Sequence, residues 1–114
     1  MTEQKMESII TELVVNGGDA RGKALLAIRA ARENDMEKAE LLMEECGKAL
    51  NAAHEFQTSL IQETLNGEEE AGASLIMVHG QDHLMDAMVV RDLALEMIEM
   101  YRVIHLMKES ERSE

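Results

Sequence analysis

The sequence predicts an all-α chain, an antiparallel up-down-up three-helix bundle. Three observations predict it. Pro and Trp are absent, Tyr and Phe occur once each, and Ala, Leu, Met and Glu are abundant, a composition built for helices. Apolar residues recur at helical spacing over three long segments. The breaks at Asn34-Asp35 and Asn66-Gly67 are short, and short links make neighbouring helices antiparallel. A chain of 114 residues is one domain.

The first helix is expected over residues 3–33, with Met6, Ile9, Ile10, Leu13, Leu25 and Ile28 on its buried side. It is expected to be interrupted at Gly17-Gly18, because glycine in mid-helix costs roughly 1 kcal/mol relative to Ala. That pair reads either as a kink or close helix crossing, or as room for a ligand or partner. Asn34-Asp35 stops the helix and caps the next, with Glu37 in the pattern of a capping box. The second helix is expected over 36–65, ending at the C-cap signal Asn66-Gly67. Glu68, Glu69 and Glu70 place negative charge at the start of the third, over 71–107, where the macrodipole favours it. Residues 108–114 read as a polar tail that frays. Helices of ~30 residues are ~45 Å long, and so thin a rod has a small core for its surface, a reason to oligomerise.

Composition also excludes functions. The net charge of −12 argues against nucleic acid and anionic membranes as partners and leaves basic protein surfaces. No apolar run reaches a membrane span, and Met1-Thr2-Glu3-Gln4-Lys5 is no signal peptide, so a cytoplasmic protein without direct membrane insertion is expected. Cys46 is the single cysteine; it can form no internal disulfide and reads as a small core or surface residue.

The chemistry concentrates in Val78-His79-Gly80-Gln81-Asp82-His83-Leu84-Met85. Polar groups stand here in line with the most hydrophobic seam of the chain. At about 100° per residue, Asp82, Asp86, His79 and His83 share a sector with Val89, Leu93, Met97, Met100, Ile104 and Met107. Gln81 points about 160° away from His79, toward a subunit boundary or the solvent stripe. Leu84, Leu95, Ile98, Val103 and Leu106 leave little of the circumference for water, so the third helix needs partners on more than one side. If the second and third helices fold back about residue 69, position 81 lies across from position 57. That places Gln57, Thr58 and His54 beside the His79–His83 turn, with Gly17 to Arg21 a turn or two away. His105 lies far down the helix and reads as a surface residue.

His79-Gly80-Gln81-Asp82-His83-Leu84-Met85 resembles the His-x-Gln-Asp-His-Leu-Met signature of the lactose/cellobiose-type enzyme IIA proteins. These are components of the bacterial phosphoenolpyruvate-dependent sugar phosphotransferase system. Gly17-Gly18-Asp19-Ala20-Arg21 resembles the Gly-x-Ala-Arg segment of that family, and residues 53–62 resemble its Ala-His-x-x-Gln-Thr-x-Leu-Ile-Gln segment. Gly80 stands where the family commonly has alanine, and Asp86 where it usually has a small hydroxyl residue.

The resemblance implies a three-helix bundle that trimerises into nine helices and carries phosphoryl groups. It implies that His79 accepts phosphate from the histidine-containing phosphocarrier protein and passes it to a cognate enzyme IIB. The transported sugar would be a β-linked disaccharide of the lactose, cellobiose or chitobiose class. Neutral imidazole offers an in-plane lone pair as nucleophile, and phosphoryl transfer asks mainly for positioning and charge stabilisation. His83, one turn on, supports His79 or is structural; Gln81 is a weaker candidate.

The resemblance further implies that Asp82 from three subunits binds one divalent cation on the trimer axis. Its place on the apolar seam agrees, since clustered carboxylates repel in a low dielectric and Mg²⁺ suits few carboxylates plus waters. Pairing of Asp82 with His83 or His79 of a neighbour stays open, as do contributions from Asp86, Gly17 and Gly18 and the role of His54. Two other classes compete: a metal-binding helical bundle using His79, Asp82 and His83, and a helical adaptor whose apolar faces are its function. Against the adaptor, burying such polar groups without a use costs several kcal/mol.

Overall fold

A computed structural model describes residues 2–65 and 75–112, all within three helices and their caps. They are α1 (Glu3–Arg32), α2 (Met36–Leu65) and α3 (Leu75–Arg112). The Asn66-Gly67 cap, the Glu68–Glu70 run and the expected start of the third helix at 71 lie outside the described residues.

Local chemistry accounts for the described ends. The Thr2 hydroxyl accepts from the Lys5 amide at 3.1 Å, a side-chain N-cap. At the other end of α1, Asn34 has a φ of 62°, the left-handed conformation that Asn tolerates best after Gly. Its amide donates to Ala31 and that of Asp35 to Ala30, at 3.0 and 2.8 Å, which is a Schellman motif. Asp35 then caps α2, its Oδ1 accepting from the Lys38 amide at 3.2 Å. Lys38 therefore stands third in the helix, so Glu37 is one position early for the reciprocal half of a capping box.

Two expectations about continuity are corrected. α1 is unbroken through Gly17 and Gly18, because flanking tertiary contacts outweigh the glycine propensity cost. α3 does not stop at 107 but runs to Arg112. Lys108, Glu109, Glu111 and Arg112 are good helix formers however polar they are. The 38 residues of α3 alone span ~57 Å, and the molecule measures 70 × 18 × 17 Å.

Contacts pair early α1 with late α2 (Lys5 to Glu63, 3.0 Å) and their middles with each other (Lys23 to Glu45, 3.0 Å). α3 joins through Gln81 to Gln57 and through His105 to the end of α1. α1 packs along both other helices, whereas α2 and α3 meet far less. Small residues make this possible. Beyond the buried Ile9, Ile10 and Leu13, the inner face of α1 is Gly17, Ala20, Ala24, Ala27 and Ala31, so the neighbouring backbones come close. Leu25 and Ile28, expected on the buried side, are only partly buried. From α3 the core takes Leu84, Ala87, Ala94 and Ile98; from α2 it takes Cys46, Leu50, Ala53 and Leu60.

The rest of α3 is open. Val89, Leu93, Met97, Met100, Ile104 and Met107 are each between 40% and 61% exposed. So much contiguous apolar surface on one helix marks an interaction face.

Candidate functional site

The site is a turn of α3 held between the other two helices. Toward α1, Gly80 is buried; a Cβ there would stand 3.3 Å from Ile10 Cγ2 and 3.6 Å from Leu13 Cδ1. In the sequence Gly80 stands out as a departure from the alanine common in the resembling family. It is a contact point, and its placement four residues before buried Leu84, on the same helix face, is the signal in the sequence for that. One turn along, Gly17 lies against the peptide joining His83 to Leu84. Of the two readings of the glycine pair, close crossing describes Gly17. Gly18 faces open space, with nothing within 4 Å of a built Cβ.

Toward α2, Gln57 Nε2–H donates to Gln81 Oε1 at 2.8 Å, the level that the hairpin arithmetic predicts. Gln81 is therefore half-buried within its own chain, rather than lying in the solvent stripe. Thr58 and His54 are exposed, and the Thr58 hydroxyl donates to the His54 carbonyl at 3.0 Å.

His79 is exposed and His83 half-buried. Their Nε2 atoms are 3.2 Å apart, and the rings meet edge to face with centroids 4.5 Å apart. This is the reach that i, i+4 spacing gives on a helix. In the neutral pair one Nε2–H donates and the other Nε2 accepts. If His83 donates, the proton of His79 sits on Nδ1 and its Nε2 keeps a lone pair. The arrangement thus offers a solvent-accessible nitrogen nucleophile whose tautomer is set by its neighbour.

Asp82 and Asp86 are exposed on the outer side of α3, on the stripe that carries Val89 and Leu93. Neither has a hydrogen-bond or ion-pair partner among the described residues. Burial of His79 and Asp82, expected from their place in the seam, is absent within one chain. The described residues hold no group of three or more His, Cys, Asp or Glu side chains able to hold a metal ion.

Two further features come from packing between segments. A groove of about 290 Å³ runs between α2 and α3, lined by Leu50, His54, Leu84, Met88 and Arg91 among others. It exists because α2 and α3 barely meet, which no local pattern reveals. The reading of His105 as a surface residue is corrected as well: it is half-buried, its Nε2–H donates to the Ala31 carbonyl at 2.8 Å, and Tyr101 stacks on it with centroids 6.2 Å apart. It gives a second donor to a carbonyl at the end of α1 that already accepts from the Asn34 amide. Cys46 is buried in the core, and burial pushes its thiol pKa up.

Residues 8–102 match the family described as PTS system, Lactose/Cellobiose specific IIA subunit. The chain is 44% identical over 101 residues to the lichenan-specific phosphotransferase enzyme IIA component of Bacillus subtilis, covering 89% of this chain and 91% of that protein. The structure is similar to the cellobiose-specific enzyme IIA of Bacillus anthracis, with a TM-score of 0.85 and 39% identity over 93% of this chain and 94% of that one. It is also similar to a chain from the IIA(chitobiose)–HPr complex of the Escherichia coli phosphotransferase system. There the TM-score is 0.74 at 36% identity, over 87% of this chain and 95% of that one.

Proposed function

The chain belongs to the lactose/cellobiose-specific IIA family of the phosphotransferase system, and from that premise we propose that it is a phosphoryl carrier working through His79. The observation that carries the reading is the exposed His79 ring with its Nε2 held 3.2 Å from that of His83. It takes phosphate from the histidine-containing phosphocarrier protein and gives it to an enzyme IIB serving uptake of a β-linked disaccharide. A relative seen in complex with HPr supports the donor.

In the forward step the Nε2 lone pair of His79 attacks phosphorus. The nitrogen–phosphorus bond of the donor breaks, and its electron pair returns to the donor imidazole. Holding the His79 proton on Nδ1 is the work of His83, whose Nε2–H leaves the Nε2 lone pair and turns to a phosphoryl oxygen as the new bond forms. Gln81 acts at a distance, tying the turn to α2 through Gln57.

The assembly is part of the proposal. The paired contacts along α1, α2 and α3 support the up-down-up order, and the open face of α3 supports association of three copies into nine helices. Asp82 would then lie in an apolar seam, and its hard oxygen donors fit a divalent cation such as Mg²⁺ shared among subunits. Among the described residues no helix is long and apolar enough to cross a membrane, which agrees with a cytoplasmic carrier.

Intact-mass measurement after incubation with phosphoenolpyruvate and the general phosphotransferase proteins tests this. The protein should gain one acid-labile phosphate and the His79→Gln variant none. Labelling of that variant would move the carrier role to another histidine.

A further inference from the structure

We propose that Gly17 is a positioning residue for the imidazole pair. By lacking a side chain it lets α1 lie against the His83 peptide, and so sets the geometry in which His83 meets His79. The kinetic consequence rests on the carrier reading; the geometric one does not.

A Cβ at Gly17 would stand 3.1 Å from the carbonyl oxygen of His83, 3.2 Å from its carbonyl carbon and 3.4 Å from the amide nitrogen of Leu84. All three are backbone atoms inside a helix. None can swing aside as a side-chain terminus would, so the helices themselves would have to give by a few tenths of an ångström. The adjacent Gly18 meets nothing. The two glycines carry the same propensity cost, but only Gly17 is required by a neighbour.

What would give is decided by the packing on either side. On one side Gly80 rests on Ile10 and Leu13. On the other, Ala20 and Ala24 share a core cluster with Leu84, Ala87 and Ala94, all of them fully buried. α3 cannot retreat as a rod without opening those contacts, and close-packed interiors resist that. From the α2 side, the Gln57–Gln81 bond holds the same turn. The displacement therefore concentrates in the His83–Leu84 peptide, which carries the His83 ring with it. At 3.2 Å the bond between the rings is already at the long end of the range for hydrogen bonds. A few tenths more uncouples them.

The test compares unmodified protein, Gly17→Ala and Gly18→Ala, each labelled with ¹⁵N-histidine. Ring-nitrogen NMR signals report whether His79 and His83 remain bonded. The initial rate of His79 labelling is measured against donor concentration. Folded Gly17→Ala should show His79 and His83 signals displaced toward those of unpaired imidazole. Its maximal labelling rate should be roughly ten-fold lower, with donor KM little changed. Gly18→Ala should match the unmodified protein in both. If Gly17→Ala does not fold, the measurement is made with Gly18→Ala added, whose gain in helix propensity offsets part of the loss. Ring signals in folded Gly17→Ala identical to those of the unmodified protein would overturn the proposal, as would equal displacement by Gly18→Ala. Failure of the unmodified protein to accept phosphate would count against the carrier reading instead, and the ring signals would still decide the role of Gly17.

Discussion

Replacing Asp82 with Leu should strengthen the proposed trimer and abolish its cation. Asp82 is exposed in the single chain, and the stripe it shares is apolar: Val89 is 55% exposed, Leu93 52% and Met100 61%. If that stripe is the seam, each substitution exchanges a carboxylate that must be neutralised for a side chain that belongs there. Burying one leucine side chain contributes ~1.5–3 kcal/mol. Three per assembly give an upper figure of about 5–9 kcal/mol, before relief of repulsion among the carboxylates. Side-chain ordering offsets part of this. A net gain of a few kcal/mol shifts the trimer–monomer midpoint by orders of magnitude in concentration. Sedimentation equilibrium over a dilution series reads that midpoint, and elemental analysis of gel-filtered protein reads the metal. A variant that dissociates more readily, or that retains its cation, would refute the placement of Asp82 in the seam.

Three further outcomes follow from the packing and the charges. Leu84→Ala removes a fully buried side chain beneath the His83 turn and should cost ~2–5 kcal/mol in chemical denaturation; a loss well under 1 kcal/mol would mean that the site turn is not supported there. The Lys5 ammonium, by hydrogen bond and then by charge, holds the Glu63 carboxyl below its ordinary value of 4.5. The stabilisation from this pair is complete above that value and lost as pH falls through the lowered one, so the difference in Tm between the unmodified protein and Glu63→Gln should shrink on acidification below about pH 4.5; a difference that is constant with pH would show the pair contributes nothing. Phosphorylation adds about −1.5 to −2 charges to a chain already at −12, so affinity for the acceptor should fall steeply with salt. Simultaneous binding of donor and acceptor to one subunit, seen by NMR titration, would exclude a shared surface around His79.

The sequence carried the number of helices because its periodicity and its breaks are local signals. It also carried the level of the Gln57–Gln81 contact, since a short hairpin leaves little freedom of register. Features set by packing between segments were not legible. Gly17 and Gly18 are chemically identical, yet one is filled by the His83 peptide and the other faces open space. His105 stands between Ile104 and Leu106 near the end of α3, and only the arrival of the α1 terminus gives it a carbonyl to bind. On the inner face of α1, attention to large side chains hid the alanines that let the helices approach. At the site, the residue types and their spacing were readable. The exposure of His79 and Asp82 was not, because it depends on which face of α3 the chain's own helices leave open.

The central claim is that His79 carries the phosphoryl group, and ³¹P NMR of the phosphorylated protein, combined with the ¹⁵N signals of its histidine rings, tests it most directly. One phosphohistidine resonance is expected, lost in mild acid, with phosphorus coupled to Nε2 of His79 and the ring proton on Nδ1. Phosphorus coupled to a ring nitrogen of His83 or His54, or no phosphohistidine signal with an active donor present, would contradict it.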